Sequence, residues 1–122
     1  MENNIVQIYT SLGDAAAFLQ YPFLYNYAGE WIGFVNAQRE VYSVLGDYVG
    51  KLTSDPRIIR SRSGEGKPRQ KPPAPPTRLR ISSAIPLPKL MADLTSENID
   101  ILQDEPERLH TLDSGEMRQD MD

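Results

Sequence analysis

VYSVLGDYVGKL, residues 41–52, sets two apolar runs on either side of a Gly-Asp pair. It lies without a gap on IYTSLGDAAAFL (8–19) and on LYNYAGEWIGFV (24–35). Gly13, Gly29 and Gly46 then share one slot at spacings of 16 and 17 residues. Ile8, Leu24 and Val41 stand five positions before these glycines, Tyr9, Tyr25 and Tyr42 four before, and Asp14, Glu30 and Asp47 one after. IRSRSGEG offers a worn fourth copy, with Ile59, Ser61, Gly64 and Glu65 in the matching slots and Arg60 in that of tyrosine. Two readings of this copy stay open: a formed hairpin, or the start of a disordered arm.

A period near 16 residues is too short for a pair of helices and accommodates two strands of about five residues with their turns. Each copy therefore reads as a β-hairpin, and the fold as all-β: three to four repeated short hairpins about a pseudo-symmetric axis. The Gly-acid pair fits a two-residue turn, or a type I turn closed by a glycine bulge, and either needs glycine at positive φ. Strict alternation assigns Ile32, Phe34 and Val49 to one face and Trp31, Gly33, Val35, Tyr48, Gly50 and Leu52 to the other. Both faces are largely apolar, so burial on both sides or self-association is expected. Gly33 and Gly50, inside strands, mark bulges or close backbone approaches.

These hairpins, best matched in GEWIGFV and VYSVLGDYVGKL, resemble the bacterial four-fold beta-flower proteins, over about residues 5–65. The resemblance implies petals about a pseudo-four-fold axis and a Pro/Arg-rich segment after them, as in KPRQKPPAPPTRLR. It implies no activity and no functional residues.

Charge and proline divide the rest of the chain. Of ten prolines, seven lie between Pro68 and Pro88, and the net charge of −4 conceals an acidic start, a basic middle (residues 57–90) and an acidic end. The expected layout is a hairpin module over 1–66, a basic proline-rich linker over 67–88 and an acidic tail with short helical segments over 89–122. KPPAPPTR satisfies both orientations of a proline-groove ligand through Arg69, Pro72, Pro73, Pro75, Pro76 and Arg78; with Trp31 and Tyr48 these are the candidate partner-binding residues. A plain spacer is the competing reading. The basic residues also suit phosphates, but the pI of about 5.0 and the absence of interleaved aromatics disfavour nucleic acid. In the tail, Thr95 or Ser96 suits the N-cap of a helix through Gln103, and Pro106 the first turn of another.

Catalytic chemistry finds little support. There is no cysteine, which excludes thiolate catalysis and thiolate-held zinc, and His110 is the only histidine. The turn acids Asp14, Glu30, Asp47 and Glu65 would form a ring of hard oxygen ligands only if the hairpins were symmetric, and acids after turn glycines are ordinary turn formers. No cofactor is expected. Met1-Glu2-Asn3-Asn4 lacks a positive segment and AAAFL (15–19) is too short to span a bilayer, so a soluble cytoplasmic protein without membrane contact is expected. Together these features point to a non-catalytic structural or interaction module that self-associates through apolar hairpin faces; nucleic-acid binding by the basic arm is the alternative.

Overall fold

The computed structural model describes residues 5–64, 66–80, 91 and 93–112. Eight antiparallel strands form one curled, half-barrel sheet in chain order: β1 (Val6–Tyr9), β2 (Ala15–Gln20), β3 (Phe23–Asn26), β4 (Trp31–Val35), β5 (Glu40–Ser43), β6 (Tyr48–Leu52), β7 (Ile58–Ser61) and β8 (Asn98–Asp100). One helical turn, α1 (Ile101–Asp104), and a 3₁₀ turn, Pro106–Arg108, follow. No helix among the described residues is long and apolar enough to cross a membrane.

The loops explain why adjacent strands pair. In the first, Thr10 N–H donates to Asp14 O (2.9 Å), Gly13 N–H to Thr10 O (2.9 Å), and Asp14 N–H to Thr10 Oγ1 (3.4 Å). The same three bonds join Asn26, Gly29 and Glu30, and again Ser43, Gly46 and Asp47. This is a type I turn closed by a residue in the left-handed region, and the glycines take φ of 93°, 85° and 91°. The connection from β4 to β5 repeats the pattern at Asn36, Arg39 and Glu40, where Arg39 adopts φ of 64° in place of glycine. Gly64 differs. It is not among the positive-φ glycines, and its N–H reaches Ser61 O at 3.3 Å.

The register shifts at one place in all three hairpins, between Ile8/Tyr9, Leu24/Tyr25 and Val41/Tyr42, leaving Ala16, Ile32 and Val49 as extra residues. Such bulges break the two-residue period. Consequently Ile32, Val35, Val49 and Leu52 share one core cluster, whereas strict alternation separates them. Trp31 belongs to a second cluster with Phe18, Tyr25 and Val44, and Phe34 stacks on Tyr42 at 5.3 Å. Every residue of β4 is buried within the single chain, so burial of the hairpin faces does not itself demand a second copy.

Ile8, Leu24, Val41 and Ile58 are each fully buried in the main cluster, worth about 1.5–3 kcal/mol apiece. Ile58 pairs with Leu52 as Val41 does with Val35 and Leu24 with Leu19, so the fourth slot belongs to Ile58, one residue before the expected Ile59. The outer partner of β7 is not the segment after Gly64. It is β8, from the tail, with Ser61 opposite Asn98 and Ile59 opposite Asp100. Strand pairing here also displaces the expected helix over 95–103: the N-cap is Asp100, whose side chain accepts from Gln103 N–H at 3.3 Å. Pro106 does open the following 3₁₀ turn. Ile101 and Leu109 enter the main cluster, and a Cβ on Gly33 would collide with Tyr42 O and lie 3.0 Å from Leu109 Cδ2. Gly33 thus makes room for the tail.

A buried polar group joins the beginning of the sheet to its end. Asp100 Oδ2 accepts from Ser11 N–H (2.6 Å) and Ser11 Oγ (2.7 Å); Arg57 Nη1 donates to Ser11 Oγ at 2.8 Å, and its Nη2 pairs with Asp55 Oδ2 at 2.6 Å. Arg57 and Asp100 are 3% and 1% exposed, and polar groups buried so deeply are costly unless partners surround them, as here.

Candidate functional site

The hairpin loops that close β3 to β4 and β5 to β6 present carbonyls outward at their rims, because the type I turn turns Ala28 O, Gly29 O, Leu45 O and Gly46 O away from the strand ladder. The basic arm lies across them. Gln70 N–H donates to Gly46 O (3.0 Å) while Arg69 Nη2 donates to Leu45 O (2.8 Å). Nine residues on, the contacts repeat: Leu79 N–H donates to Gly29 O (2.9 Å), and Arg78 Nε to Ala28 O (3.1 Å). Each clamp uses an arginine for the carbonyl before the turn glycine and the next residue's N–H for the glycine carbonyl.

The glycines serve here twice. Besides their positive φ, a Cβ on Gly29 would run into the Leu79 carbonyl and a Cβ on Gly46 into the Gln70 carbonyl. Carboxylates flank the first clamp: Arg69 Nε pairs with Asp47 Oδ1 at 2.9 Å, and Lys67 Nζ with Glu40 Oε2 at 3.1 Å. Hydrogen bonds from Asn36 and then Lys67 hold the Glu40 carboxyl below the usual carboxylate range, and Glu40 in turn raises Lys67. Leu79 packs against the cluster of Phe18, Tyr25, Trp31 and Val44. Residues 66–80, the described part of the arm, form no regular secondary structure, and all are exposed or half-exposed.

The expected partner-binding residues separate into three groups. Arg69 and Arg78 make the clamps; Pro72, Pro73 and Pro76 are half-buried in the connecting stretch and Pro75 is exposed. Trp31 is interior, with Nε1 donating to Gly33 O at 2.6 Å. Tyr48 is half-buried, meets Tyr42 edge-on at 5.8 Å, and lies 5.6 Å beneath the Arg60 guanidinium. Together with Ser43 and Asp47, Tyr48 borders an open cleft of about 330 Å³ whose other wall is Glu107, Arg108 and His110. His110 Nδ1 lies 2.9 Å from Thr111 O, and Arg108 pairs with Glu105.

Of the turn acids, Glu30 accepts from Asn26 Nδ2 at 3.0 Å and Asp47 pairs with the arm, while Glu65 lies outside the described residues. Among the described residues no three acidic or histidine side chains are grouped to hold a metal ion. The residues that sequence reasoning missed are the loop anchors Thr10, Asn26, Asn36 and Ser43. Their signal is the spacing: a short polar side chain three residues before the positive-φ position, able to accept from the loop's own N–H groups.

No protein-family model, curated protein or solved structure matches this chain.

Proposed function

We propose that the chain is a non-catalytic interaction module of the beta-flower type, acting in the cytoplasm, whose hairpin rims hold an extended cationic peptide. Its repeated hairpins are petals about a pseudo-symmetric axis, and the peptide held is its own proline-rich arm. One observation carries this reading: the same two-bond clamp occurs on two successive hairpins, at Arg69-Gln70 and Arg78-Leu79. A spacer would have no reason to repeat it. Main-chain hydrogen bonds with a flanking side-chain contact are the usual means of holding extended peptides. The nucleic-acid alternative is weakened because Lys67, Arg69 and Arg78 are engaged by carboxylates or carbonyls of the same chain.

The natural absence of cysteine permits a clean test. A spin label on Lys71→Cys should broaden the amide signals of Leu45, Gly46 and Asp47, leaving those of Ser11 and Leu12 sharp. Uniform, weak broadening would mean an undocked arm and would overturn the reading.

A further inference from the structure

Among the described residues, the contacts between these rims and the arm place only acceptors on the rims. Ala28, Gly29, Leu45 and Gly46 contribute carbonyls, and Asp47 and Glu40 contribute carboxylates. Every donor in these contacts comes from the arm: two guanidinium groups, one ammonium and two backbone N–H groups. An acceptor-only face selects a cationic ligand and repels phosphates, whose oxygens are acceptors too. It also selects against proline at the two positions that must supply N–H, and Gln70 and Leu79 are non-proline residues in a proline-rich stretch. The second position takes an apolar side chain, since Leu79 enters the aromatic cluster.

From this complementarity we propose that the hairpin rims are recognition slots for an external partner: an extended proline-rich segment of another protein carrying Arg-X, seven residues, then Arg-X, with X never proline and the second X apolar. The inference rests on the interaction-module reading, and in it the arm is an internal competitor that occupies the slots until a better-matched segment displaces it. The clamps suit exchange. The Arg69 and Asp47 side chains are 68% and 57% exposed, so solvent screens the pair and it holds the arm weakly. What keeps the arm in place is its anchoring between β7 and β8, which sets a high local concentration rather than a tight contact.

The test uses the full chain and a labelled peptide of residues 66–80, followed by fluorescence anisotropy. Arg69→Ala/Arg78→Ala in the chain removes the competitor without altering the rims, so peptide affinity should rise about tenfold over the native chain. Gly29→Ala/Gly46→Ala added to that variant should abolish binding. Those glycine changes also strain the loops, so peptide-side variants provide a second reading independent of folding: Arg→Ala at both clamps, or Pro in place of Gln70 and Leu79, should each abolish binding to the unaltered rims. Equal affinity of the native and arm-mutant chains, no binding at millimolar peptide, or retained binding by the proline-substituted peptide would overturn the inference. Direct binding of a labelled single-stranded oligonucleotide to the Arg69→Ala/Arg78→Ala chain, lost on adding Gly29→Ala/Gly46→Ala, would overturn it too, in favour of a phosphate ligand at the rims. If the spin label shows a docked arm and the peptide still fails to bind, only this inference falls; an undocked arm removes the reading beneath it.

Discussion

Asp100→Ala should be among the most damaging single changes in the molecule. Its carboxylate accepts three hydrogen bonds, from Ser11 N–H, Ser11 Oγ and Gln103 N–H, at a site 1% exposed. Losing the N-cap contact costs about 1 kcal/mol. Each Ser11 donor left without its acceptor costs about 1 kcal/mol more. The sum, about 3 kcal/mol, is a large share of the 5–15 kcal/mol total typical of a domain. Asp100→Asn keeps one carbonyl acceptor and should cost about half as much. Urea unfolding followed by the fluorescence of Trp31, the single and buried tryptophan, gives the difference directly. An Asp100→Ala midpoint within about 0.5 kcal/mol of the native chain, at unchanged slope, would refute the argument that this group fastens the ends of the sheet together.

Leu109→Ala should cost about 2–5 kcal/mol by opening a cavity over Gly33, checked by the same denaturation. Gly33→Ala should destabilise as well, because its Cβ meets the Tyr42 carbonyl, and a stable Gly33→Ala chain with Leu109 still buried would contradict that packing. Acid should loosen the fold through two carboxylates. Burial alone would raise Asp55, but hydrogen bonds from Arg57 and Thr53 outweigh it and bring the pKa below the ordinary value; Glu40 is lowered chiefly by Asn36 and Lys67. Because both folded values lie below the unfolded ones, their stabilisation is complete above the usual carboxylate range and disappears as pH falls through the folded values. Asp55→Asn and Glu40→Gln should therefore flatten the stability profile below about pH 4, measured as thermal midpoint against pH.

The strands were legible in the sequence because the turn glycines and the apolar runs obey local rules. Gly13, Gly29 and Gly46 need positive φ, and no distant contact changes that requirement. The faces of the strands were less legible, since a bulge at Ile32 and Val49 resets the two-residue period without any marker of its own. Least legible was the tail. Asn98–Asp100 reads as part of a capped helix until the open edge of β7 claims it, and 36 residues of sequence separate Ser61 from Asn98. Long-range pairing overrides a short helix because so short a helix is marginal alone. Composition marked the arm as either a proline-groove ligand or a plain spacer, and it could not indicate contacts with the hairpin loops of the same chain. The two arginines nine residues apart were visible; their acceptors, the carbonyls of residues 28 and 45, carry no side-chain signature.

Amide hydrogen exchange at Gln70 and Leu79 reads out docking of the arm, because these two N–H groups are the main-chain half of each clamp. If the rims hold the arm, both amides are protected relative to their neighbours Lys71 and Arg80, and Arg69→Ala/Arg78→Ala releases them while leaving Val41 and Leu24 protected. Exchange of Gln70 and Leu79 at the rate of an unstructured peptide in the native chain would contradict the account.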